Sequence, residues 1–222
     1  MHPQVEEAIE VLEKAKEDEA GMLFTAGKDS MIMLYLWREY IGDQPPLLVI
    51  DTHNQFDEIY DFRSEIAEEW DLKLDVRANK EFLEEVIYNE EDERGFAWDG
   101  FKTESCCGAL KIDVIAEFIE DGYNSLIVGR RQADVDTRLP TVKSKRNPLP
   151  HKRYHPLANW SDALVGMFIN REGIELPELY YNGYEHTDCI DCTKAGEDGD
   201  EWSGMSPEKK EQLANLRDMG YM

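Results

Sequence analysis

Two groups of residues carry the chemistry open to this sequence. The first is Gly21-Met-Leu-Phe-Thr-Ala-Gly-Lys-Asp-Ser30, which runs straight into the apolar residues Met31 to Tyr40. Met22, Leu23 and Phe24 suit the end of a buried strand, Gly27 permits a tight turn, and Met31, Leu34 and Tyr35 recur at helical spacing. The first amides of such a helix have no carbonyl four residues back, and with Lys28 beside them they form an anion site. Thr25, Ala26, Gly27, Lys28, Asp29 and Ser30 are therefore candidate phosphate-binding residues. The loop is not a Walker A motif, which requires glycine where Met22 stands and a hydroxyl where Asp29 stands. The second group is Cys106, Cys107, Cys189 and Cys192, every cysteine in the chain. Four thiolates suit a [4Fe–4S] cluster or a tetrahedral zinc, and the adjacent pair favours the cluster because zinc-ligand pairs are usually spaced by two or more residues.

The elements that must position these groups alternate. Val5, Ala8, Ile9, Leu12 and Ala15 lie at helical spacing behind Pro3. Leu47 to Ile50 is a continuous apolar run of the kind buried in a parallel sheet, and it ends at Asp51. At a strand's carboxyl end Asp51 could face the ribose, a phosphate-bound metal or the substrate, or cap the helix expected over Phe56 to Trp70. A third strand is predicted over Leu72 to Val76, a helix around Phe82 to Ile87, a loop over Asn89 to Gly100, a helix from Cys106 to Ile119, and a strand over Ser125 to Val128. Ser161 caps a helix over Asp162 to Asn170. The expected fold is α/β, a doubly wound, mostly parallel sheet flanked by helices. The expected domain covers residues 1–193, followed by an acidic tail over 194–222 with a short helix near Leu213.

Composition narrows the partners. With 48 acidic against 24 basic residues in 222, the formal charge is −24, which opposes nonspecific nucleic-acid binding and anionic membranes over most of the surface. The excess suits a protein kept soluble in concentrated salt, where screening is short-ranged. No apolar run approaches a membrane span and the first residues lack a signal-peptide pattern, so the expected location is the cytoplasm; the acidity suits a high-salt cell, the alternative being a merely acidic mesophilic protein. Against this background Arg130, Arg131, Arg138, Lys143, Lys145, Arg146, Lys152 and Arg153 are concentrated beside one strand end, with Asp134 and Asp136 among them. Such a concentration implies a polyanionic ligand, the alternative being a solvated basic loop.

The motifs together resemble a known family. Thr25 to Ser30 is similar to the Ser-Gly-Gly-Lys-Asp-Ser pyrophosphate loop of the adenine nucleotide α-hydrolase superfamily. The wider chain, from Gly21 to Thr193, resembles the phosphoadenylyl-sulfate (PAPS) reductase family through Ile50-Asp51-Thr52, Cys106-Cys107-x-x-Leu-Lys111, Gly129-Arg130-Arg131, His155-Pro-Leu-Ala-Asn-Trp160 and Leu179-Tyr180-x-x-Gly183-Tyr184. The cysteine layout is that of iron–sulfur adenylyl-sulfate reductases. Those reductases attack the sulfonucleotide with a later cysteine, and none follows Cys192 in this sequence, whereas Lys28-Asp29-Ser30 keeps the form found in ATP-using members. The resemblance therefore implies an ATP-dependent adenylating enzyme of sulfur transfer. In that reading Thr25 to Ser30, Asp51, Gly129, Arg130 and Arg138 bind nucleotide, and Lys28, Asp29, Asp51, Arg130 and Arg131 act in catalysis. Mg²⁺ sits on the phosphates, and the four cysteines hold a [4Fe–4S] cluster. The partners implied are an adenine nucleotide, a sulfur donor or thioredoxin-like protein, and a nucleic-acid acceptor, with a homodimer left open. The alternatives are an adenylyl-sulfate or phosphoadenylyl-sulfate reductase whose cysteine comes from a partner, and a nonenzymatic regulator.

Overall fold

A computed structural model of the chain describes residues 2–42, 44–84, 104–135, 138–145, 150–187, 189–193 and 195. The loop expected over Asn89 to Gly100, the helix expected near Leu213, and Asp136 and Arg146 of the basic segment lie outside them. The chain divides into two compact units, one comprising residues 1–49, 61–75 and 118–177, the other 50–60, 76–117 and 178–222.

The elements form largely where the apolar runs predict them. Helix α1 (Pro3–Glu17) begins with Pro3, whose missing N–H costs nothing in a first turn, and His2 Nδ1 accepts from the Gln4 amide at 3.4 Å. Strand β1 (Gly21–Leu23) leads into α2 (Lys28–Leu36), which continues as a π-helical turn over Trp37–Ile41. Then come β2 (Leu47–Ile50), α3 (Asp57–Glu69) and β3 (Leu74–Arg77). The pieces α4 (Lys80–Phe82) and α5 (Glu104–Cys107) precede α6 (Asp113–Glu120) and β4 (Ser125–Ile127). Strands β5 (Val142–Lys145) and β6 (His151–Tyr154) lead to α7 (Asp162–Glu172), capped as expected by Ser161, whose Oγ accepts from the Leu164 amide at 3.2 Å.

The six strands form one sheet in the order β3-β2-β1-β4-β6-β5. β1 pairs in parallel with β2 and β4, β4 pairs in parallel with β6, and β5 runs antiparallel to β6. The chain therefore builds outward from β1 to β3 and returns to lay β4 on β1's other side. That reversal makes β1 and β4 the pair at which open α/β sheets bind ligands.

Packing explains why α2 shows no amphipathic stripe. Met31, Ile32, Met33, Leu34 and Leu36 are all fully buried, as in a helix enclosed on every side. They join Val5, Ala8, Leu12, Phe62, Leu164 and Phe168 in one apolar core. Each fully buried large side chain contributes about 1.5–3 kcal/mol. Tyr35 of α2 donates to Glu172 Oε2 of α7 at 2.9 Å and packs edge-on against Phe168, with ring centroids 5.9 Å apart.

The second unit has a smaller core of Leu83, Cys106 and Leu110, with Ala78 and Phe82 against it. Asn79 accepts from the Phe82 amide at 3.0 Å and donates to the Ala109 carbonyl at 3.2 Å, tying α4 to the turn after α5.

Candidate functional site

The phosphate loop fills the short interval between β1 and α2. Ala26 takes a left-handed backbone, φ 58°, and is fully buried, while Gly27 is the helix N-cap in an extended conformation. Two hydroxyls clip the turn. Thr25 Oγ1 accepts from the Gly27 amide at 3.3 Å and lies 3.3 Å from Ser30 Oγ, which itself donates to the Gly27 carbonyl at 2.9 Å. Lys28, half-buried, opens α2 with Asp29 and Ser30 in the same first turn. Helix-start amides and an ammonium group thus occupy the carboxyl end of β1, an arrangement suited to phosphate oxygens.

The segment after β4 meets this loop from the other side of the sheet reversal. A methyl group placed on Gly129 would lie 3.0 Å from Asp29 Cβ and 3.2 Å from Met33 Cε, so a larger residue would press on α2 where glycine leaves room for this close approach. Two residues on, Arg131 is fully enclosed. Its Nε lies 3.0 Å from Asp29 Oδ1, its NH2 group 4.0 Å from Asp134 Oδ1, and its NH1 group bonds Asp162 Oδ1. Its backbone amide also donates to Asp134 Oδ2 at 2.7 Å. Among the expected site residues, the loop, Gly129 and Arg131 are brought together within this unit, and Asp134 and Asp162 join them unforeseen.

The rest of the basic segment does not form one uniform surface. Arg130 is half-buried, and Arg138 and Lys143 are exposed. Arg153 is buried and donates from Nε to His151 Nε2 at 2.9 Å; burial, aided by the nearby charge of Arg130, holds its pKa down to about 10. His155 is also buried, and its Nδ1 lies 2.9 Å from the Pro140 carbonyl, so the proton sits on Nδ1. Lys143 and Arg153 face each other across the β5–β6 ladder. Neither β5 nor β6 is foretold by an apolar run or alternation in the sequence.

Asp51 and the cysteines belong to the second unit. Asp51 Oδ1 accepts from the His53 amide at 2.8 Å and from the Tyr60 hydroxyl at 2.7 Å, and its Oδ2 lies 3.7 Å from His53 Nε2. Asp51 thereby organises its own turn, in which His53 has φ 51°. The next residue, Thr52, places Oγ1 3.5 Å from Cys189 Sγ, and the Ile190 amide donates to the Asn54 carbonyl at 2.9 Å. Cys189 and Cys192 bracket a short 3₁₀ turn, and Phe56 and Tyr184 stack edge-on at 5.3 Å. All four cysteines are buried, and none is in a disulfide. Among the described residues no three His, Cys, Asp or Glu side chains converge as they would around a single metal ion.

The profile of the phosphoadenosine phosphosulfate reductase domain matches residues 19–195. The chain belongs to that family. The matched span contains every candidate site residue of this PAPS-reductase-family chain, from Thr25 to Cys192. A sulfate adenylyltransferase subunit 2 from Pseudoalteromonas translucida is 28% identical over 203 residues, covering 78% of this chain and 65% of its own length. The chain thus spans just under two thirds of that relative. Among solved structures, the PAPS reductase of Candida auris in complex with phosphate superposes with a TM-score of 0.64 at 21% identity, covering 83% of this chain and 88% of its own. The U34-tRNA thiolase NcsA of Methanococcus maripaludis, solved with its [4Fe–4S] cluster, gives 0.50 at 17% identity, covering 91% and 66%. These likenesses establish the adenine nucleotide α-hydrolase-like fold and an enzyme family of sulfur metabolism.

Proposed function

We propose that this PAPS-reductase-family enzyme binds ATP and cleaves it between the α and β phosphates to adenylate an acceptor in sulfur transfer. The observation that carries the reading is the Lys28-Asp29-Ser30 start of α2 directly behind β1, at the strand reversal. The first-turn amides and Lys28 would hold the pyrophosphate portion, and Arg130 would add positive charge where the leaving group develops negative charge. An acceptor oxygen attacks the α phosphorus, the bond from that phosphorus to the bridging oxygen breaks, and pyrophosphate leaves with the electron pair. Mg²⁺ would be held by phosphate oxygens together with Asp29, and would supply charge neutralisation. The adenylyl-transferring name of the subunit 2 relative supports this branch.

The four cysteines fit a [4Fe–4S] cluster in number, donor type and burial. Such a cluster would supply sulfur handling or electron transfer, and no step above depends on it. The second reading, a sulfonucleotide reductase served by a partner's thiol, is favoured by the Cys-Cys and Cys-x-x-Cys layout. Incubating anaerobically purified protein with ATP, adenylyl-sulfate or phosphoadenylyl-sulfate separates the two. Pyrophosphate from ATP supports the first, and sulfite from a sulfonucleotide in the presence of thiol supports the second.

A further inference from the structure

We propose that Arg131 is a positioning residue that locks the phosphate loop from behind and makes no contact with the nucleotide phosphates. The proposal rests on the reading of Thr25 to Ser30 as the phosphate site. A guanidinium meant for a phosphate keeps one edge open and its charge uncommitted. Arg131 does neither. It is fully enclosed, and three carboxylates surround it: Asp29 at 3.0 Å, Asp134 at 4.0 Å and Asp162 in direct contact. Its positive charge is already outnumbered by those neighbours, so it has little to lend a ligand.

The carboxylates come from three elements. Asp29 is in the first turn of α2, Asp134 in the short helical turn after β4, and Asp162 in the first turn of α7. One guanidinium lies within 4.0 Å of all three at once, bonded to Asp162 and charge-paired with Asp29 and Asp134, a span that a lysine's single ammonium does not match. Gly129 supplies independent support, since its missing side chain brings the β4 end against Asp29 itself. Gly129 and Arg131 thus act on the same residue, one by close approach and one by charge. Asp29 lies between Lys28 and Ser30, and Ser30 closes the loop through the Gly27 carbonyl. Movement of Asp29 would therefore move Lys28 and the first-turn amides together. Arg131 is thus set apart from the half-buried Arg130 beside it, a difference between adjacent arginines that their sequence alone does not disclose.

The test uses the full chain and the variants Arg131→Lys and Asp162→Asn. Asp162→Asn leaves Arg131 in place and alters a side chain that is 66% exposed, so it keeps the test open if the buried change misfolds. The first readout is hydrogen exchange without nucleotide at the Met31 amide, which donates to the Gly27 carbonyl at 2.9 Å and reports loop closure. Both variants should speed exchange there by about ten-fold while Leu12 in α1 stays as protected as in the unaltered chain. In the double variant Asp29→Asn/Arg131→Lys, exchange should be no faster than in Arg131→Lys alone, because both changes cut one linkage. Where ATP turnover is measured, kcat should fall while KM for ATP moves by less than about three-fold. Unchanged Met31 exchange in both variants would overturn the proposal, as would a selective loss of ATP over AMP affinity with the loop still protected. If the unaltered chain binds no ATP, the adenylating reading falls, and the exchange data still decide the role of Arg131.

Discussion

The Thr52 hydroxyl lies 3.5 Å from the sulfur of Cys189, linking the turn after β2 to the Cys-x-x-Cys segment. The Ile190 amide bonded to the Asn54 carbonyl makes the link two-stranded. Partners behind a metal ligand fix its orientation, and removing one commonly costs about ten-fold or more in metal retention. If the four cysteines hold iron, Thr52→Val, which keeps the side chain's shape and deletes the hydroxyl, should accelerate iron loss to a chelator by about ten-fold with the fold intact. Iron retention equal to that of the unaltered protein would detach Thr52 from the cysteine site.

Ala26 stands at φ 58° with its methyl group fully buried, at a position where the pyrophosphate loop it resembles has glycine. Left-handed backbone costs a non-glycine residue roughly 1–2 kcal/mol. Replacement by glycine relieves that strain, but it frees the unfolded chain by about 0.5–1 kcal/mol and exposes a methyl-sized gap worth about 0.8 kcal/mol. The terms nearly cancel, so Ala26→Gly should change stability by less than about 1 kcal/mol, whereas branched Ala26→Val should lose more than about 2 kcal/mol. Denaturant unfolding of the three proteins measures both differences, and equal stability of the Val variant would contradict the strained turn.

Burial pushes the pKa of His155 down to about 4 from 6.5, aided by the charges of Arg153, Arg130 and Lys143 and opposed by its bond to the Pro140 carbonyl. The folded protein therefore holds this ring neutral where the unfolded chain has begun to take up a proton. Stability linked to His155 is complete above pH 6.5 and is lost as pH falls toward about 4, by up to roughly 3 kcal/mol. His155→Gln should flatten the fall in unfolding free energy between pH 6.5 and pH 4 relative to the unaltered chain. Identical pH profiles would mean that the ring is not held neutral in the folded state.

The apolar runs and the loop motif made most of the first unit legible. Leu47 to Ile50 could hardly be anything but a buried strand, and Ser161 announced its helix through a side-chain cap. Strands β5 and β6 were hidden because Val-Lys-Ser-Lys and His-Lys-Arg-Tyr carry their hydrogen bonds in the backbone and their identity in tertiary pairing, while their composition reads as a basic loop. The two arginines after β4 look alike in sequence. Only closure of the sheet, which brings Asp29 and Asp162 from distant positions onto Arg131, distinguishes them. The cysteine grouping is legible from spacing, and all four thiols are buried in the second unit.

The central claim is the bond broken in ATP, and the label on the product tests it most directly. ATP carrying a radiolabelled α phosphate should yield labelled AMP, with unlabelled pyrophosphate released in equal amount, when anaerobic protein is supplied with extract as a source of acceptor. Lys28→Ala should abolish both products, since it removes the charge facing the phosphates. Labelled ADP with free phosphate, or no attack on ATP alongside steady sulfite release from a sulfonucleotide and thiol, would contradict the account.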